Sequence, residues 1–150
     1  MGKMFLGNNV IIRPSTGLYT NPTKVLKIGD NVEIGNHSTI AAHHEVVIEK
    51  DVLTGPHVFI ADYNHDYRDV KTPVWSQGEF APKDSKVVIG EGTWLGTNVV
   101  VVGKVKVGKH CVIGANSVVT KDIPDYSVAT GIPCKVIKRY DFGKEEWVKV

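Results

Sequence analysis

From Leu6 to Val119 this 150-residue chain repeatedly counts in sixes. The segments LGNNVI (6–11), IGDNVE (28–33), IGNHST (34–39), IGEGTW (89–94), VGKHCV (107–112) and IGANSV (113–118) align without gaps. Each opens on an aliphatic residue followed by Gly, and most carry a small or β-branched residue at the fifth place. The aliphatic column runs Ile28, Ile34, Ile40 and later Ile89, Leu95, Val101, Val107, Ile113, Val119. The fifth places hold Val32, Ser38, Thr93, Val99, Val105, Cys111 and Ser117. A period of six matches neither the 3.6 of a helix nor the alternation of a long flat strand. It matches short strands that turn a corner after each hexad with the aliphatic residue pointing inward. Three sides close a triangular coil, and coils stack as parallel strands whose stability comes from nearest-neighbour contacts. The Gly of each hexad is expected to supply the backbone conformation of the corner.

The count slips in three places. From Leu18 to Ile28 the step is ten, with YTNPTK supplying an Asn-Pro turn signal, and from Ile40 to Ile48 it is eight, across AAHHEV. After FIADYNHDYRDV (59–70) the repeat stops altogether and recovers at Val87, leaving a protruding loop of about 62–86. A loop of that length in a compact domain is functional or disordered. This one holds Tyr63, His65, Tyr67, Arg68, Trp75, Gln77 and Phe80, a composition suited to a pocket wall and unlike a disordered linker.

The expected organisation is one domain over 1–150, with repeats over about 6–133 and a C-terminal cap or tail at 134–150. Pro124 and Pro133 mark the end of the repeat, and DFGKEEWVKV is a short helix or an irregular tail packed on a neighbour, with Trp147 and Val148 buried there. No apolar run approaches the ~18 residues of a membrane-spanning helix, and two cysteines are too few for a disulfide framework. A cytoplasmic location without a signal segment is expected. The net charge of +2 hides an asymmetry. Residues 101–150 carry nine Lys/Arg against five Asp/Glu, so an anionic ligand is expected there. Those lysines are scattered rather than clustered with aromatics, which disfavours nucleic acid.

The repeat, and above all VVIGEGTWLGTNVVVVGKVKVGKHCVIGANSVVTKDIPDYSVATGIPCKVIKR, resembles the hexapeptide-repeat acyltransferases, in the branch of maltose, galactoside and polysaccharide O-acetyltransferases. The resemblance covers Leu6 to Arg139. It implies an all-β, left-handed parallel β-helix, a handedness opposite to the usual crossover rule. It also implies a homotrimer with active sites between subunits and acetyl-CoA as co-substrate, without a metal. Counting through IEKDVLTGPHVFIADYNH, the histidine that resembles the family's catalytic one is His65. Here Glu49 and Asp51 replace the Gly and Asn of the family's hexad, a change expected to alter a corner and not the chemistry. An imidazole suits the role, because transfer from a thioester to a hydroxyl needs a base that is largely neutral near pH 7. Attack is expected to be direct, since no Ser or Cys stands beside His65, with a backbone N–H at the Gly96–Thr97 corner facing the oxyanion.

The resemblance places Trp94, Gly96 and Thr97 near the thioester, Gly114 and Ala115 along the pantetheine arm, and Thr120 and Lys121 towards the nucleotide. Lys135, Lys138 and Arg139 are candidates for the phosphates. Candidate acceptor contacts are Asn64, Tyr67, Trp75, Gln77 and Glu79 from the loop and His43 from the eight-residue step. Relatives often have an acidic residue near that place, so His43 leaves the acceptor open. An O-acetyltransferase acting on a sugar hydroxyl is the leading expectation. An N-acetyltransferase acting on an amino or nucleotide sugar and an antibiotic acetyltransferase are alternatives within the fold. A zinc carbonic anhydrase-like enzyme would need three gathered histidines, and a non-catalytic scaffold would need none of these groups.

Overall fold

A computed structural model describes residues 2–150. The chain winds as a left-handed parallel β-helix, and each coil contributes one short strand to each of three sheets. The first coil is β1 (Lys3–Leu6), β2 (Ile11–Ile12) and β3 (Gly17–Thr20). The second is β4 (Val25–Ile28), β5 (Glu33–Ile34) and β6 (Thr39–Ala42). The third is β7 (Glu45–Ile48), β8 (Leu53–Thr54) and β9 (Phe59–Ala61). An inserted segment follows, made of β10 (Asn64–His65), a four-residue helix α1 (Val74–Gln77) and β11 (Glu79–Phe80). The stack then resumes with β12 (Lys86–Ile89), β13 (Trp94–Leu95), β14 (Val100–Val102), β15 (Val105–Val107), β16 (Val112–Ile113), β17 (Val118–Val119) and β18 (Ser127–Thr130). Sheet one is β1-β4-β7-β12-β15, sheet three is β3-β6-β9-β14-β17, and sheet two holds β2-β5-β8-β13-β16-β18.

Register explains why a six-residue pattern suffices. Leu26 stands on Val46, Val46 on Val87 and Val87 on Val105, so like residues pile into continuous inward columns. The aliphatic places of the middle coils are fully buried: Ile34, Ile40, Ile89, Leu95, Val101 and Val107 all have no exposed surface. The fifth places Val32, Ser38, Thr93, Val99, Val105, Cys111 and Ser117 are buried beside them. Their polar members are satisfied locally, as where Thr93 Oγ1 donates to the Gly108 carbonyl at 2.8 Å.

The corner glycines serve a different purpose from the expected one. Positive φ falls two residues after the glycine, on Asn31, His37, His57, Asn98, His110 and Asn116, and equally on Asp51, two residues after Glu49. These are mostly Asn, Asp and His, the non-glycine residues that best tolerate that region. The glycines instead permit close stacking of coils. A Cβ on Gly96 would lie 2.7 Å from the Ala115 nitrogen, and one on Gly35 would run into the Gly55 carbonyl.

The tail also differs from expectation. β19 (Lys135–Asp141) and β20 (Glu146–Lys149) extend sheet two as antiparallel strands. Trp147 is 40% exposed and meets Tyr140 edge-on.

Candidate active site

Every departure from the six-residue count lies at one corner of the prism, where sheet three passes into sheet one. The ten-residue step turns there at Asn21–Lys24, with Lys24 N–H donating to the Asn21 carbonyl. The eight-residue step turns there at His43–His44, between β6 and β7. The inserted segment leaves from the same corner one coil further on, after Ala61, and returns at Lys86. Stacked coils leave extra chain nowhere to go but outward, so insertions at successive coils meet on the surface.

The segment is an ordered hairpin excursion. Its base is closed by Ser85, whose hydroxyl donates to the Asp62 carbonyl at 2.6 Å. Asp62 is fully buried, and its carboxylate accepts the backbone N–H groups of His43, His44 and Glu45 at 2.6, 2.7 and 2.8 Å. One carboxylate thus fixes the neighbouring corner to the loop's root. Beyond it, β10 and β11 pair antiparallel, Asn64 with Phe80 and His65 with Glu79. At the tip, the Gln77 amide donates to the Asp69 and Thr72 carbonyls and accepts from Asp69 N–H. The Arg68 guanidinium covers the Phe80 ring at 4.1 Å and binds Asp66, holding that carboxyl down at about 2.

His65 is exposed, and its ring makes no hydrogen bond among the described residues. Beside it lies a small groove lined by Tyr19, Asn21, Ala42, His43, Tyr63 and Glu79. Within the groove His43 Nδ1 is 2.9 Å from Glu79 Oε2, and Tyr63 tilts against the His43 ring at 5.5 Å. Burial, followed by the charges of Glu79 and Asp62, raises the Tyr63 phenol above its ordinary value, so it stays a neutral hydroxyl. His65, Glu79 and His43 of the expected set are therefore together. Asn64 is next to them, while Gln77 is spent on the turn. Tyr67 and Trp75 stand out in solvent, 71% and 85% exposed. Sequence reading missed Asp62, Ser85 and Asn21. The signal for the first two was available, a short polar residue at each end of the break.

Of the expected cofactor-side residues, Trp94, Gly96, Thr97, Gly114 and Ala115 gather at another corner, between sheets two and three. Trp94 lies half exposed on sheet two, between Leu53 and Val112. Gly96 N–H is taken by the Ile113 carbonyl, and Gly114 N–H by that of Ala129. The next residues, Thr97 and Ala115, have backbone N–H groups with no partner among the described residues. Lys135 pairs with Thr130, whose side chain sits against Gly114, so it belongs to this corner. Lys138 pairs with Val128 beyond an irregularity in the β18–β19 register, two residues along β18 from Thr130 and so on the same face as Lys135. Thr120 and Lys121 are exposed after β17, at the far end of sheet three. Within one chain, Thr97 and the root of the His65 hairpin are separated by a full prism side, ~15–20 Å at about 3.3 Å per residue. Among the described residues no three His, Cys, Asp or Glu side chains converge as a metal site, and no helix is long and apolar enough to cross a membrane.

Stacked hexad coils interrupted by one histidine-bearing hairpin define a left-handed β-helix of the transferase type. The family model "Bacterial transferase hexapeptide (six repeats)" matches residues 86–121. The chain is 38% identical over 131 residues to WbbJ of Escherichia coli (strain K12), a candidate lipopolysaccharide biosynthesis O-acetyl transferase, covering 83% of this chain and 66% of WbbJ. It is 36% identical over 166 residues to the galactoside O-acetyltransferase of Lactococcus lactis subsp. lactis (strain IL1403), covering 95% of this chain and 71% of that protein. A solved galactoside acetyltransferase in complex with coenzyme A superposes with a TM-score of 0.69 at 27% identity, over 97% of this chain and 72% of that one. The chain belongs to the hexapeptide-repeat acyltransferase family. It spans slightly less than two thirds of WbbJ and 37% of a mycobacterial relative, Rv3034c.

Proposed function

We propose that this protein transfers acetyl from acetyl-CoA to a hydroxyl of a sugar, free or within a surface-polysaccharide precursor. The observation that carries the reading is the position of His65, an unpartnered imidazole on an ordered hairpin beside a groove of polar side chains. The acceptor hydroxyl attacks the thioester carbonyl as His65 takes its proton. The C–S bond then breaks, and the imidazolium returns the proton to the departing thiolate. No acyl-enzyme is needed, and the two serines of the inserted segment's stem and helix and the core cysteine are occupied or shielded. Ser85 and Ser76 donate their hydroxyls to carbonyls, and Cys111 is buried. Asn64, His43, Glu79 and the neutral Tyr63 hydroxyl supply donors and acceptors suited to an uncharged polyol.

The free N–H groups of Thr97 and Ala115, one coil apart, suit the amide-bearing pantetheine arm and the developing oxyanion, as strand edges suit a peptide. Trp94, Gly96 and Gly114 shape that edge, with Thr120, Lys121, Lys135, Lys138 and Arg139 towards the phosphates. Hairpin and edge lie at different corners, so the complete site is assigned to a homotrimer in which His65 of one subunit faces the edge of the next. The apolar residues pointing outward from sheets two and three, Leu53, Trp94, Val112, Phe59, Val100 and Val118, support such contacts. A cytoplasmic location, where acetyl-CoA is available, agrees with the free thiols of Cys111 and Cys134. The test is coenzyme A release from acetyl-CoA against a panel of sugars, nucleotide sugars and amino sugars, with the product linkage read by NMR. An O-acetyl ester is expected. Exclusive amide formation, or no turnover with any acceptor, would contradict the reading.

A further inference from the structure

The base has a carboxylate opposite it that is already engaged elsewhere. His65 and Glu79 are directly paired across the β10–β11 hairpin, and paired residues of antiparallel strands put their side chains on one face, ~5 Å apart at Cβ. A carboxylate so placed would ordinarily bind the imidazole. Glu79 Oε2 lies instead 2.9 Å from His43 Nδ1. His43 is brought there by the corner that Asp62 fixes, its own N–H donating to that carboxylate at 2.6 Å. Nδ1 of His43 has a second neighbour, Asn21 Nδ2, at 3.3 Å. An amide NH₂ only donates and a carboxylate only accepts, so a single tautomer cannot satisfy both. The shorter contact puts the proton on Nδ1, aimed at Glu79.

We infer that His43 is a positioning residue: by engaging Glu79 it keeps that carboxylate off His65 and sets the pH range over which His65 can act as a base. This rests on the function proposed above for His65. An opposite charge within about 4–6 Å favours the protonated imidazole, moving its titration up by roughly 1–3 pH units. Each unit removes about tenfold of the neutral base below the midpoint. The other charged and titratable groups nearby are accounted for. Asp62 spends its carboxylate on three backbone N–H groups, and Tyr63 remains a neutral phenol. Asp66 is tied to Arg68, and His44 meets His43 edge-on with Lys24 near its own Nδ1. Glu79 is the carboxylate left to choose between two imidazoles.

The test measures the pH profile of kcat/KM and the NMR titration of the labelled His65 ring in wild type, His43→Phe, His43→Gln and the double variant His43→Phe/Glu79→Gln. His43→Phe removes the donor to Glu79, and both midpoints are expected to rise by about one pH unit. His43→Gln keeps an N–H for Glu79 and should leave both midpoints where wild type has them. The double variant should return them. The ring titration needs only folded protein, so it reports even where turnover is lost. Unmoved midpoints in His43→Phe, whatever its rate, would overturn the inference. His65→Ala separates the two levels: wild-type turnover in that variant would sink the proposed function itself, whereas inactivity there with unmoved midpoints in His43→Phe would sink only the role of His43.

Discussion

Ser85 donates its hydroxyl to the Asp62 carbonyl at 2.6 Å, so the two ends of the inserted hairpin are joined at the prism wall. Asp62 meanwhile holds three backbone N–H groups of the adjoining corner on its carboxylate. Together they transmit the rigidity of the coils to His65. Asp62→Ala strands those donors in a buried site and should destabilise the fold by about 2–4 kcal/mol. Denaturant unfolding checks this. Acetyl transfer at a temperature where the variant remains folded should fall about tenfold or more, since a misplaced base loses its geometry.

Close stacking makes the corner glycines unequal. Gly35→Ala drives a methyl into the Gly55 carbonyl of the next coil and should cost about 1–3 kcal/mol or more. Gly78→Ala has open space around its Cβ, so its cost is backbone strain alone, about 1–3 kcal/mol at φ 81 and ψ −153, a region kept almost wholly for glycine. Gly35→Ala must also displace the neighbouring coil, so it should melt below the Gly78→Ala variant.

Burial raises the Cys111 thiol above its ordinary value, and it also raises that of Cys134. Less thiolate and little access both slow alkylation. Native protein at pH 8 should react with iodoacetamide far more slowly than a free thiol does, Cys111 slowest of all. Both should label fully in guanidinium, with mass spectrometry giving the sites.

Burial would push the Glu45 carboxyl up, but the hydrogen bonds and charges of Lys86 and Lys27 outweigh it and leave it below the ordinary value. A depressed folded-state carboxyl contributes stability that is present above its unfolded value and lost as pH falls through the folded one. The melting temperature should therefore drop between about pH 5 and pH 3, and Glu45→Gln should flatten part of that drop.

The columns were readable because stacking asks one thing of Ile34, Ile40, Ile89 and Leu95: an aliphatic facing inward at fixed spacing. The insertions were readable as breaks in that spacing, and their convergence on one corner follows from the count itself. The glycines were misread because close approach between coils depends on residues about twenty positions apart, which no local pattern records. The tail was misread as helix or irregular chain, since edge pairing with β18 is a tertiary choice. His65 and Glu79 were both named from the sequence, but the His43–Glu79 contact spans a break in the repeat and needed coordinates. The solvent positions of Tyr67 and Trp75 could not be read either, because a hairpin's facing depends on where its turn falls.

If His65 removes the proton from the acceptor hydroxyl, its loss must show in the rate of transfer. Steady-state acetyl transfer by His65→Ala, with folding verified by its melting temperature, should fall in kcat/KM by about 10²–10⁴-fold; turnover within a few-fold of wild type would mean that another group is the base.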